Sequence, residues 1–224
     1  MREASIRTVI LFLVLTAFPA AAGLPPARAA TERVTVYNFD GSANLVRNRK
    51  TYPVELDQGL RDGDLLRIES ETYLDLTMWG IAASRLGDEG ELLVVDTSAS
   101  GLLFHLHAGS FLSNVRKLPS GSSFRVETPI VTAISEGGQF YVDYMVDPQK
   151  GPRSRVVVKK GLLNLFVKEA SITIQMIEGQ ALEALAGSSI PSQHTASEEE
   201  RKLADRALSI YIDDSVENPP PPIE

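Results

Sequence analysis

Across residues 34–185 apolar side chains recur at every second position in short runs, and turn-forming residues interrupt the runs. Successive side chains of a strand point to opposite faces, so this period builds a sheet with one apolar face, whereas a helix needs a period of about 3.6. Runs of this kind, broken at intervals of about 8–12 residues, restrict the stretch to an all-β fold, an antiparallel β-sandwich or roll of many short strands. Polar-out alternation favours antiparallel pairing, which can leave one sheet face in water. Strands are expected over 34–39, 65–70, 72–78, 80–86, 92–95, 102–107, 111–115, 123–128, 130–135, 139–145, 155–160, 162–167 and 171–176. Gly87 with Gly90, and Gly137 with Gly138, read as hairpin connections, because glycine accepts a positive φ without steric cost.

The composition changes after residue 185 to small and polar residues, a linker over 186–196. Ser197 and Glu200 have capping-box spacing, and Leu203, Ala204, Ala207, Leu208 and Tyr211 fall on one stripe at helical spacing. A short amphipathic helix is expected over 197–211, its stripe packed back on the β domain or docked on another protein. Residues 212–224 are acidic and hold four consecutive prolines, which favours an extended solvated tail over a core.

Arg2 and Arg7 precede an apolar run that begins at Val9, and Ala27-Arg28-Ala29 supplies an A-x-A cleavage site. The pattern predicts a signal peptide over 1–29 and a periplasmic or secreted chain, with no stable membrane insertion after cleavage. The rival, an uncleaved anchor, falls short of the ~20 apolar residues that a spanning helix needs. Loss of Arg2, Glu3, Arg7 and Arg28 removes a charge of +2 from a net −7 and leaves −9. Nucleic acid, whose phosphates need a basic face, is therefore not an expected partner. The chain has no cysteine, which excludes disulfides, a thiol nucleophile and thiolate metal ligands.

Residues 117–140 form the most distinctive local signal. Pro119, Ser120 and Gly121 mark a turn, Phe124, Val126 and Thr128 alternate, Pro129 breaks the strand, and a second run opens at Ile130 and leads to Gly137, Gly138 and Phe140. The order turn, F-x-V-E-T-P-x-x-x-A, glycine, x-F resembles the FecR periplasmic domain. Further pieces fit in the same order, among them Gly59-Leu60 with Gly63-Asp64, the pair Leu106 and Gly109, Lys160-Gly161, and Glu178-Gly179-Gln180. The resemblance spans residues 34–185 and implies a β module that binds another cell-envelope protein in signalling or assembly. Where the family usually has Arg-Gly-Thr, this chain has Glu136-Gly137-Gly138, which reverses a charge and removes a hydroxyl. The iron-transport regulators of the family add a cytoplasmic anti-sigma segment, a membrane helix and a C-terminal receptor-contacting subdomain. Residues 186–224 fall below the ~50 that an independent domain usually needs, so the chain resembles the stand-alone exported members.

The chemistry available is sparse. His105 and His107 share one face of a strand and could hold a metal ion, but no third ligand is evident and His194 lies in the linker. Asp57, Asp62 and Asp64 lack calcium-loop spacing. Neither G-x-S-x-G nor S-x-x-K stands in a catalytic setting and no cofactor motif is present, so neither an enzyme nor a cofactor is expected. Arg47, Arg49 and Lys50 read as a solvated basic loop. Partner contacts are expected at Glu136, Gly137 and Gly138, on the adjoining strand at Tyr141 and Asp143, and on the helix at Leu203 and Leu208. Tyr141 lies on the strand face opposite Phe140, Val142 and Tyr144, which makes it the candidate exposed aromatic. The alternative is a peptidoglycan- or polysaccharide-binding module that stacks sugars on Trp79, Tyr37, Tyr73, Tyr141 or Tyr144.

Overall fold

The computed structural model describes residues 33–78, 80–98 and 101–205. Its architecture is all-β and rests on four long strands, β7 (Ala82–Asp96), β8 (Gly101–Val115), β10 (Val131–Asp147) and β11 (Gly151–Val167). Each is interrupted near its middle at a glycine, and each changes neighbour there. β7 pairs first with β6 (Tyr73–Met78) and, beyond a bulge at 88–90, with β5 (Leu65–Ile68). β8 runs beside β9 (Ser123–Glu127) up to His105 and beside β10 from Gly109. β10 leaves β9 at Ser135 and joins β8 at Gly138. β11 pairs with β13 (Gln180–Leu185) before Gly161 and with β12 (Ile172–Ile177) after it.

A bulge sets two residues opposite one, bends the strand and strengthens its twist. Aligned across neighbouring strands, these bends let one hydrogen-bonded sheet wrap its apolar face around a single core. Gly109 has φ 82°, and a Cβ there would stand 2.5 Å from the Gly87 carbonyl oxygen and 2.6 Å from Gly90 Cα. Gly138 has φ 130°, and its Cβ would collide with the Lys160 carbonyl oxygen. The glycines expected to make hairpin connections sit inside continuous strands: Gly137 and Gly138 take a positive φ in a bulge instead of a turn, and between Gly87 and Gly90 the positive φ falls on Asp88 and Glu89.

The remaining strands close the ends. β1 (Val34–Asp40) joins β6 to β4 (Gly59–Leu60), while β2 (Ala43–Arg47) joins β5 to β3 (Lys50–Pro53). The β2–β3 hairpin occupies the stretch expected to be a basic loop. Its turn residues Asn48 and Arg49 both have positive φ, as a two-residue hairpin of matching twist requires. β14 (Ser192–Thr195) pairs with β13 and so places a strand inside the expected linker. Among the described residues pairing is antiparallel except between β8 and β9, which run parallel.

Phe104, Phe111, Phe124 and Phe140 are fully buried in the core, with ring centroids 5.5 Å apart for Phe104 and Phe111, 5.6 Å for Phe104 and Phe124, and 6.0 Å for Phe124 and Phe140. The T-P motif turns the chain between β9 and β10. The Thr128 hydroxyl accepts the N–H groups of Ile130 at 3.1 Å and Val131 at 3.0 Å and lies 2.7 Å from Ser154 Oγ, while Pro129 brings no N–H that would need a partner.

The helix α1 (Glu198–Asp205) begins with the reciprocal bonds of a capping box. Glu200 N–H donates to Ser197 Oγ at 3.3 Å, and Ser197 N–H donates to Glu200 Oε2 at 2.8 Å. Ala204 and Leu203 pack against Ala83, Leu112, Tyr141, Val157 and Ala181, a second apolar cluster on the sheet face turned away from the core. Leu208, Trp79, the proposed leader and the proline-rich tail lie outside the described residues.

Candidate functional site

The interruptions in β10 and β11 meet at a hollow in the sheet. Gly137, Gly138 and Gly161 stand side by side without side chains, and the surrounding residues wall a solvent-open groove of about 710 Å³. Four carboxamides line it, Asn114 from β8, Gln139 from β10, Asn164 from β11 and Gln175 from β12. Gln139 Nε2 donates to Asn114 Oδ1 at a long 3.4 Å, which leaves much of this donor and acceptor capacity unused. Lys117 and Lys160 contribute two ammonium groups, neither of them in an ion pair among the described residues, and Glu136 adds one carboxylate. At the rim, Leu162 and Ile177 lie opposite each other on adjacent strands and are 43% and 53% exposed. Among the described residues the lining holds no hydroxyl or thiol nucleophile and no histidine.

The sequence signal at 136–138 thus falls on the groove, while its neighbours on β10 do not. Tyr141 is only 2% exposed, contrary to the expectation of an exposed aromatic, because α1 covers that face of the sheet. Burial, with the Asp143 charge second, raises the pKa of its phenol. The Tyr141 hydroxyl donates to Asp143 Oδ2 at 2.9 Å, and Asp143 also accepts from the side chain and backbone N–H of Arg155. Asp143 is fully buried, so both residues tie strands together beneath the surface. Leu203 is half-buried against the same cluster.

The other polar candidates resolve into local pairs. His105 Nε2 lies 3.5 Å from Glu127 and His107 Nδ1 3.3 Å from Glu91, and no third metal-ligating group joins them among the described residues. Burial lowers the pKa of His105. The buried Asp64 accepts from Arg47 Nε at 2.7 Å and from Arg61 N–H at 2.8 Å, so Arg47 is a paired structural residue and not part of a solvated loop. Asp62 accepts the N–H and hydroxyl of Thr97, both at 2.9 Å. His194 stands on β14 with Nε2 3.1 Å from Glu200 Oε1.

The tyrosines do not share a stacking surface. Tyr73 lies under the Arg85 guanidinium at 4.2 Å, Tyr144 packs against the core, and Tyr37 is exposed on β1. Asn114, Lys117, Lys160, Asn164 and Gln175 escaped sequence reasoning because they converge only through strand pairing. The legible hint was Gly161 preceding a strand, as Gly137-Gly138 does.

No protein-family profile and no curated protein matches the chain. Among solved structures, two crystal structures, each described as a candidate anti-sigma factor from Parabacteroides distasonis, are similar to it. One has a TM-score of 0.53 at 13% identity and covers 65% of each chain, and the other has 0.52 at 14% and covers 62% of each. The chain thus spans a little under two thirds of either structure, and what it shares with them at this identity is the β fold.

Proposed function

We propose that the chain is a FecR-type recognition module, a non-catalytic protein of the cell envelope that binds another envelope protein in signalling or assembly through the groove at 136–138. The groove itself carries this reading. Carboxamides present N–H donors and C=O acceptors in the pairing that a peptide backbone needs, and ammonium groups that are in no ion pair among the described residues suit acidic side chains. The exposed Leu162 and Ile177 add an apolar contact at the rim. An extended acidic segment of a partner protein fits this combination. The motif residues 124–138 support the FecR assignment, and the shared fold with structures described as anti-sigma factors supports a regulatory context. The envelope location rests on the leader pattern in residues 1–29. A polysaccharide reading has less support, since no aromatic side chain lines the groove among the described residues.

A photo-crosslinker at Gln139, on the groove wall, tests the proposal in intact cells. The expected result is capture of one envelope protein, lost when Lys117→Glu and Lys160→Glu are combined. Recovery of glycan fragments, or unchanged capture by the double variant, would overturn it.

A further inference from the structure

We infer that the chain pairs with a second copy of itself along the free edge of β12. β11 has β10 on one side for its whole length, and on the other β13 and then β12. β14 covers the outer edge of β13 and ends at Thr195, short of β12. Among the described residues no strand pairs with the outer edge of β12. Ile177 N–H is taken by Gln180 Oε1 at 2.9 Å, so the open run is 172–176.

An open edge recruits foreign strands unless charge, proline or a bulge blunts it. The edge strand β3 carries Lys50 and Pro53, and β14 is four polar residues beside the helix. β12 reads Ile-Thr-Ile-Gln-Met-Ile, without charge, proline or glycine, and Ile172 is 42% exposed. Such an edge is stable against indiscriminate pairing only when a specific strand covers it.

The pattern of β12 specifies that strand. A two-fold axis normal to the sheet joins two copies antiparallel, keeps each face continuous, and sets residues of equal parity opposite one another. Centred on Ile174, the midpoint of the open run, it places Ile172 opposite Met176 and Ile174 opposite its own copy on the core face. Thr173 then meets Gln175 on the other face. Ile174 already packs half-buried against the core, so the interface continues that core from one copy into the next. The flanking acids do not meet: Glu169 falls opposite Gly179, and Glu178 opposite Ala170. The interface adjoins the groove, since Gln175 lines both, but the inference rests on the strand edge and not on the partner assigned to the groove.

Sedimentation velocity of the purified protein over rising concentration is expected to show a monomer–dimer shift. Ile174→Lys should abolish the shift, while Val146→Lys, at an exposed residue of β10, should leave it. The chain has no cysteine, so Ile174→Cys reports the register directly. Directly opposite Cα atoms lie about 4.5–5.5 Å apart, within the span of a disulfide. Mild oxidation should therefore link Ile174→Cys into a dimer and leave most of Thr173→Cys unlinked, with circular dichroism establishing that each variant is folded. A monomer at every concentration, a dimer indifferent to Ile174→Lys, or equal linkage of the two cysteine variants would each overturn the inference. A monomer that pairs only with a different envelope protein would overturn it as well, and would give the edge to that protein.

Discussion

Asp143 and Arg155 form a two-pronged ion pair across β10 and β11, with Asp143 Oδ2 2.6 Å from Arg155 Nη2 and 3.0 Å from Nε. The carboxylate has no exposure and the guanidinium side chain 19%, and the Tyr141 hydroxyl supplies a further donor to the carboxylate. Desolvating two charges is costly, and here their mutual attraction and the added hydrogen bonds offset the cost.

Removing one partner leaves the other charge buried and alone. Asp143→Ala is expected to destabilise the fold by about 3 kcal/mol, while Asp143→Leu combined with Arg155→Met costs much less. Urea unfolding of the single and double variants measures both.

Tyr141 predicts an alkaline limb of stability. Its phenol holds its proton in the folded state beyond the ordinary tyrosine value of about 10, chiefly because it is buried. Above that pH the unfolded chain binds fewer protons than the folded one, so stability is complete below about pH 10 and falls as pH rises through it. Chemical unfolding at graded alkaline pH should show a smaller slope for Tyr141→Phe.

The bends make glycine substitutions unequal. Gly179 and Gly109 have nearly the same φ, 80° and 82°, but a Cβ at Gly179 meets nothing within 4 Å. Gly179→Ala should cost about 1 kcal/mol for the left-handed backbone alone. Gly109→Ala adds collisions with the backbone of β7 and should cost about 3 kcal/mol. Thermal melts of the two variants give the difference.

Much of the architecture was legible because its cause is local. Alternation placed Leu74, Leu76 and Met78 on one face of β6, and placed Phe140 and Val142 opposite Tyr141 on β10, as their packing confirms. The strands most easily overlooked were those with weak alternation, such as Lys50–Pro53 and Ser192–Thr195, which exist because a neighbour supplies the ladder. Of the candidate contact residues, Glu136, Gly137 and Gly138 line the groove. Tyr141 and Asp143 could not be judged from β10 alone, since α1, more than fifty residues away in sequence, covers Tyr141, and Arg155 of the neighbouring strand β11 pairs with Asp143.

By itself the sequence determined the β class, the inward set of side chains and the start of the helix, since alternation and capping act over a few neighbouring residues. Only the tertiary structure decided whether Gly137 and Gly138 would make a turn or a bulge, because either can use their positive φ and the choice depends on which strand lies alongside. The same non-local pairing decided which outward side chains meet water, and brought Asn114, Gln139, Lys160 and Gln175 from four strands to one groove.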